Sequence, residues 1–465
     1  MSEDQDGYDV VVLGAGSGGY ACALRASQLG LTVALIEEAE LGGTCLHRGC
    51  IPTKALLHAA EVADEVRSAD RLGLQASLEG IDGEKLLAYQ RSVVDGLYRG
   101  LTGLVRSRGI TQIAGRGHLV GQDAVAVRPL DGTSSHVVRG RSVVLATGSR
   151  PRSLPGITPG ERIVSSQEAL QLSQVPSSAV VLGGGVIGTE FASLWRSLGA
   201  QVTIVEALDR LLPSEDATSS KQLERALTRR GITVRTGVRV AGAQETTESA
   251  TVSLQDGTTL EADVLLVAVG REPVSEDIGL ESVGVRTDGG FIAVDEQLRT
   301  SVPGIYAVGD LVPGLQLAHR GFAHGIATAE RIAGLSPAPV LDEMIPRVTY
   351  CSPQVASVGL TEDAARKRFG DEVDSVEYSL AGNGKSQILG TSGLVKMVRR
   401  KDGPIVGVHL LGDRMGEQIS EAQLLVNWEA YPQDVAPLIH AHPTQNESLG
   451  EAALALAGAP LHSHN

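Results

Sequence analysis

The apolar patterning opens at Tyr8–Leu13 (YDVVVL), a run of β-branched residues that breaks into GAGSGG and then into the helical spacing of YACALRASQLG. A second apolar run, LTVALIE, ends the segment on Glu37. Strand, glycine turn, helix, and a strand with an acid at its tip is the order in which a helix N-terminus is offered to dinucleotide phosphates. The same order returns in SSAVVLGGGVIG, continues through TEFASLWRSLGA and ends in QVTIVE at Glu206. From first glycine to acid the spacing is 37 − 14 = 23 residues in one copy and 206 − 183 = 23 in the other. One glycine pattern alone is a weak signal, but two copies in full strand–helix context predict an α/β chain with two Rossmann-like dinucleotide-binding domains.

Three further runs belong to this part of the chain. RSVVLATGSRPR and DVLLVAVGREP each read as a short strand closed by a glycine turn and an arginine, and TSVPGIYAVGD brings Asp310 out of a third strand. Beyond about Pro346 the strands VASVGL, GLVKMV and IVGVHLLG alternate with helices and no nucleotide turn follows, which predicts a separate α+β module. At 465 residues the chain exceeds the ~250–300 residues that one core supports. The expected boundaries are 1–152 and 153–275 for the two nucleotide domains, 276–345 for a central segment completing the first site, and 346–465 for the C-terminal module.

Charge and cysteine usage narrow the chemistry. The net charge is −15 and no Lys/Arg block occurs, so nucleic acid and anionic membrane are not expected partners. The acidic opening MSEDQDG lacks the features of a signal peptide, and no apolar stretch reaches a membrane-spanning length, so a cytoplasmic protein is expected. Four cysteines fit neither a secreted disulfide framework nor a zinc pattern, and no metal is expected.

Two of them, Cys45 and Cys50, stand close together in LGGTCLHRGCIPTKALLHAA, ahead of a helical stretch with Pro52 suited to its first position. Helical residues five apart rise ~7.5 Å whereas a disulfide wants Cα atoms within ~6.8 Å, so bridging requires a distorted turn, with Gly49 the natural place. A helix N-terminus favours thiolate, and a reducing compartment favours a redox-cycling pair over a structural bridge. Cys22 and Cys351 read as small core residues.

In order and combination, GAGSGG, GGTCLHRGCIPTK, ATGSRP, GGGVIGTE, AVGREP, GIYAVGD, Leu317–His319 (LAH) and HAHPTQNE resemble the class I pyridine nucleotide–disulfide oxidoreductases over essentially the full length, among them the members that oxidise dihydrolipoamide. The resemblance implies FAD at the first turn, with Gly14, Gly16 and Gly19 at the pyrophosphate and Glu37 on the adenosine ribose. It adds Thr44, Lys54, Gly117, Thr147, Gly148, Ser149, Asp310 and Ala318 to the FAD site. NAD is implied at the second turn, on Gly183, Gly185, Gly188, Glu206, Val240 and Gly270. A carboxylate at Glu206 accepts from a free ribose 2′-hydroxyl and repels a 2′-phosphate, which favours NAD over NADP.

The implied chemistry is oxidation of dihydrolipoamide through a Cys45–Cys50 redox disulfide and FAD, with reduction of NAD⁺. Lys54 and Glu190 would form an ion pair beside the flavin, and His442 with Glu447 an acid–base dyad. The implied assembly is a homodimer built on the C-terminal domain. Its partner would be the lipoyl-bearing acyltransferase of a 2-oxo acid dehydrogenase complex or the glycine cleavage carrier protein.

An NADPH-dependent reductase of a small disulfide is disfavoured by Glu206 and by the PTQNE form of the dyad segment. The tail GAPLHSHN lacks the cysteines of a mercuric reductase, and a non-catalytic scaffold would not need every catalytic position filled. His47, Arg48, His324 and the QN of PTQNE depart from the family's usual residues, and Arg48 is expected to add a charge that favours thiolate.

Overall fold

The computed structural model describes residues 7–462. Most of the acidic opening and the last three residues of the tail, on which the localisation and soft-metal readings draw, lie outside the described residues. The chain divides into two compact units. One comprises the described residues up to Ala55, with Leu87–Arg152 and Arg271–Asp342; the other comprises Leu56–Leu86, Ser153–Gly270 and the described residues from Glu343 onward. Residues 56–86, counted with the first nucleotide domain from sequence, thus fall in the second unit.

In the first unit Val33–Glu37, Tyr8–Leu13, His136–Leu145 and Ile305–Ala307 pair in parallel in that order, with Thr111–Gly121 beside Val33–Glu37. The far halves of Thr111–Gly121 and His136–Leu145 leave this sheet and pair antiparallel with Ala124–Pro129. Both faces of the parallel part are covered, which is why YDVVVL is continuously apolar. Side chains still alternate: Val11, Leu13, Ala34, Ile36, Val143 and Leu145 enter one core, and Val10, Val12, Val33, Leu35 and Val144 the other. The helix Ser17–Gln28 packs on Ala318–Ile332 so closely that a Cβ on Gly325 would lie 2.2 Å from the Gly18 carbonyl oxygen.

The second unit repeats the arrangement. Thr233–Arg235, Gln201–Val205, Ser178–Leu182, Val264–Val267 and Ile163–Val164 form a parallel sheet in that order, accompanied by an antiparallel ribbon over Val240–Ala262. After Glu343 comes a five-stranded antiparallel sheet, ordered Arg347–Thr349, Gln354–Gly359, Ile405–Gly412, Leu394–Arg400, Val373–Ser379, with the helices Met415–Asn427 and Glu447–Leu456 against it. This sheet packs against the second nucleotide domain of the same unit. Val355, Leu394 and Leu411 share one apolar cluster with Phe191 and Trp195 of the nucleotide domain. Ion pairs Arg347–Glu215 (3.0 Å) and Lys396–Asp216 (2.9 Å) join the same two parts.

Candidate active site

Each nucleotide turn divides its work among three glycines. Gly14 takes φ +98°, and a Cβ there would meet the Ala146 carbonyl oxygen at 2.4 Å; Gly183 takes +106°, with the Ala268 oxygen at 2.3 Å. Gly19 and Gly188 bring their helices onto the turn: a Cβ would fall 1.8 Å from the Gly14 oxygen and 2.0 Å from the Gly183 oxygen, respectively. Gly16 and Gly185 face open space, with nothing within 4 Å of an added Cβ, and neither helix has a side-chain cap. Uncapped amides at a helix N-terminus beside open space suit a pyrophosphate.

The acids repeat in detail. Glu37 accepts from the amides of Ala15 (2.6 Å) and Ala39 (2.9 Å), and Glu206 from those of Gly184 (2.6 Å) and Leu208 (2.7 Å). Each carboxylate is thereby held at the strand tip with oxygen lone pairs to spare for ribose hydroxyls. In the second unit Val240 opens the ribbon, half-buried, and Gly270 turns at φ +112° with open space before it.

The remaining residues named for FAD lie in the first unit. Thr147 Oγ1 donates to the Val274 carbonyl (2.6 Å), and Gly148 turns with φ +73° into open space. Ser149 Oγ donates to Asp310 Oδ2 (2.6 Å), and Ala318 opens the helix Ala318–Ile332, which has no side-chain cap. At Gly117 the side-chain space is already filled by Leu13, Val125 and Ile36, leaving only main chain to a ligand.

Arg271, not named among the site residues from sequence, completes this group: its Nε donates to Ser149 Oγ (2.7 Å) and its Nη2 to the Ser149 carbonyl (2.6 Å). Burial lowers the pKa of its guanidinium, and the charges of Asp310 and Cys50 act in opposition. The signal was the arginine after the glycine turn of AVGREP. The short strand Arg271–Pro273 pairs antiparallel with Ser149–Pro151, so the two arginine turns meet.

Cys45 lies in a one-turn helix, Gly43–His47, and Cys50 is the first residue of the helix Cys50–Arg67. That helix therefore begins two residues before Pro52, not at it. The segment is pinned to the first nucleotide turn. Gly42 N donates to the Ala15 carbonyl (2.9 Å), and a Cβ on Gly43 would stand 2.7 Å from Gly16 Cα. The left-handed residues are Gly42 (+108°) and Gly43 (+60°) rather than Gly49; at Gly49 glycine is needed for space, since a Cβ would meet the Thr44 oxygen at 3.0 Å.

Both cysteines are half-buried thiols. Contrary to a simple helix-terminus expectation, the Cys45 thiol is pushed up, chiefly by its hydrogen bond with Cys50 and then by burial, with Lys54 opposing. Arg48 does not supply the expected charge, because its guanidinium turns outward to Glu40 (2.8 Å). His47 is held at the Leu41 carbonyl (2.9 Å) and edge-on to Tyr98. Cys22 and Cys351 are buried.

Lys54 sits one turn after Cys50 on the same helix. Glu190, 2% exposed on the helix Val186–Ser197, accepts from the Tyr350 amide at 2.9 Å. His442 Nδ1 lies 2.8 Å from Glu447 Oε1, and Glu447 Oε2 accepts from Thr444 N at 2.7 Å. Burial raises the Glu447 carboxyl, but the bonds from Thr444 and His442 outweigh it and hold the group below the usual range. Exposure separates the two histidines of the segment: the His442 side chain is 77% exposed and that of His440 12%. His324 is buried, with Nδ1 accepting from Gly309 N at 3.3 Å. No helix among the described residues is long and apolar enough to cross a membrane.

A dithiol fastened to one dinucleotide turn, in a chain that builds a second such turn, defines a flavin- and nicotinamide-linked dithiol–disulfide oxidoreductase. The chain belongs to the pyridine nucleotide-disulphide oxidoreductase family: residues 8–325 match that domain and residues 345–453 its dimerisation domain. It is 43% identical to a dihydrolipoyl dehydrogenase of Bacillus subtilis (strain 168) over 473 residues, covering 98% of this chain and 99% of the relative. It is 39% identical to the mitochondrial dihydrolipoyl dehydrogenase 1 of Arabidopsis thaliana over 472 residues, covering 99% and 92%. Among solved structures, LpdA from Mycobacterium tuberculosis superposes with a TM-score of 0.90 at 28% identity, covering 96% of this chain and 99% of that one.

Proposed function

We propose that the chain forms a homodimeric enzyme that oxidises protein-bound dihydrolipoamide to lipoamide and reduces NAD⁺. The observation that carries this reading is the attachment of the Cys45–Cys50 segment to the first nucleotide turn, through Gly42 to Ala15 and Gly43 to Gly16. Bound along Gly14, Gly16, Gly19, Glu37 and Asp310, FAD supplies two-electron transfer between dithiol and nicotinamide. The residues present fit it: the open cradle at Gly16 takes phosphates and Glu37 takes ribose hydroxyls. Glu206 would select NAD, and Lys54, one turn after Cys50, would serve the flavin side of the dithiol.

The thiol chemistry belongs to the chain's own residues. His442, oriented by Glu447, accepts a proton from the lipoyl dithiol. The resulting thiolate attacks Cys45 Sγ, the Cys45–Cys50 bond breaks, and Cys50 leaves as thiolate. The second lipoyl sulfur then displaces Cys45, closing the lipoyl disulfide. In the homodimer the dyad of one protomer serves the dithiol of its partner. The lipoyl carrier is the acyltransferase of a 2-oxo acid dehydrogenase complex or the glycine cleavage carrier protein.

Replacing Cys45 by Ser tests the assignment. The variant is expected to retain yellow flavin and to lose dihydrolipoamide turnover by at least ~10³-fold, since no other thiolate replaces it at the disulfide. An active Cys45→Ser enzyme would overturn the assignment.

A further inference from the structure

Two histidines stand in the segment His440–Glu447, and each meets a carboxylate. His442 pairs with Glu447 as described; His440 Nε2 lies 2.8 Å from Glu421 Oε1, on the helix Met415–Asn427. The other oxygen of Glu421 accepts from Asn446 Nδ2 at 2.6 Å. Asn446 immediately precedes Glu447, at the N-terminal end of the helix that Glu447 begins, and makes no side-chain cap bond to it. One carboxylate therefore grips the loop at both ends, with the solvent-facing His442 between them. The middle of the loop has its own ties: Thr444 Oγ1 to the Ala441 carbonyl (2.7 Å), Asn383 Nδ2 to the Thr444 carbonyl (2.9 Å), and Gln445 Nε2 to the Asp413 carbonyl (2.9 Å).

A second observation concerns Gly450, one turn into the helix Glu447–Leu456. A Cβ there would lie 2.7 Å from His440 Nδ1 and 2.9 Å from its Cε1. Glycine inside a helix is about 0.8–1.0 kcal/mol less favourable than alanine. Its φ lies outside the left-handed range, so the backbone does not require glycine at this position. What glycine provides is room for the His440 ring on its way to Glu421.

We propose that Glu421 is a positioning residue for the His442–Glu447 dyad: by holding His440 and Asn446 together it fixes the loop that presents His442 to the dithiol. This rests on the reading of His442 as the proton acceptor. Glu421 touches neither substrate nor cofactor. It acts through the loop, whose displacement by a fraction of an ångström takes His442 out of line with the lipoyl thiol. The chain-specific part is Asn446, whose amide reaches the second Glu421 oxygen.

The test compares Glu421→Gln, Gly450→Ala and His442→Gln as homodimeric holoenzymes. Glu421→Gln and Gly450→Ala should each lower kcat for dihydrolipoamide oxidation about tenfold, a loss typical of small misplacements of a catalytic group. The KM for NAD⁺ and the rate of NADH oxidation by ferricyanide, which needs no dithiol, should stay at wild-type values. Gly450→Ala should do this in a protein that still folds and binds flavin, because the helix propensity gained with alanine offsets part of the lost His440–Glu421 contact. Wild-type kcat in both variants, alongside a His442→Gln enzyme that has lost turnover, would overturn the proposal. So would an equal fall in ferricyanide rate, which would mark general damage. A His442→Gln enzyme with normal turnover would instead overturn the acid–base reading, and the proposal with it.

Discussion

Alanine at Gly185 separates folding from nucleotide binding. Gly185 has φ −76°, which any residue adopts, and a methyl group placed there meets nothing within 4 Å. The substitution should leave the fold intact, with stability within about 1 kcal/mol of wild type. The methyl nevertheless occupies the space through which the NAD pyrophosphate approaches the uncapped helix amides. A hydrogen bond to a charged group contributes about 1.5–3 kcal/mol, and about 1.4 kcal/mol corresponds to tenfold. Loss of one such bond therefore raises the KM for NAD⁺ on the order of ten- to a hundredfold. Gly188→Ala, whose Cβ would lie 2.0 Å from the Gly183 oxygen, should instead damage the fold. The assay is steady-state kinetics with varied NAD⁺, thermal unfolding, and bleaching of the flavin by dithiol. Gly185→Ala with unchanged KM, or with the instability expected of Gly188→Ala, would refute the division of roles among the three glycines.

Further consequences follow from buried and selective charges. Burial, then the Arg320 charge, lower His324 from 6.5 to about 4, so the folded protein resists a proton that the unfolded chain accepts. Its contribution to stability is complete above pH 6.5 and falls by an amount on the order of 1–3 kcal/mol as the pH drops towards 4. His324→Gln should flatten that limb in denaturant titrations at several pH values; an unchanged pH slope would contradict the assignment. Lys396 joins Asp216 (2.9 Å) and Glu362 (2.8 Å) while almost fully buried, so Lys396→Met should cost about 3–5 kcal/mol in urea unfolding. A neutral result would show that the carboxylates find water or other partners. Glu206→Ser removes the charge that repels a 2′-phosphate and should narrow the preference for NAD⁺ over NADP⁺ at least tenfold by kcat/KM; an unaltered ratio would place the selection elsewhere.

What was legible in the chain was local. Gly14, Gly16 and Gly19 lie in one strand–turn–helix, and Glu37 and Glu206 reach amides of their own turns, so spacing alone located both turns, though not the Ala146 carbonyl that closes the space at Gly14. The break between the cysteines was legible, since the helix stops at His47 and restarts at Cys50 with Gly49 between; the left-handed Gly42 and Gly43 were not, because the approach of Gly43 to Gly16 is a contact between distant stretches of chain. Arg271 was missed as a site residue for the same reason: it meets Ser149 across 122 positions, and Ser149 meets Asp310 across 161. The charge of Arg48 was read as acting on the thiols, whereas exposure lets it turn to Glu40. Strand patterning marked out the C-terminal module but not that its Leu394 and Leu411 share a core with Phe191 and Trp195.

The most direct test of the central claim is NADH formation by the purified holoenzyme from dihydrolipoamide and NAD⁺, with NADP⁺ measured alongside. The account predicts rapid turnover with NAD⁺ and at least ~10²-fold lower kcat/KM with NADP⁺, the discrimination expected when a carboxylate faces the ribose. A flavin-loaded enzyme that ignores dihydrolipoamide yet reduces a small disulfide with NADPH would contradict it.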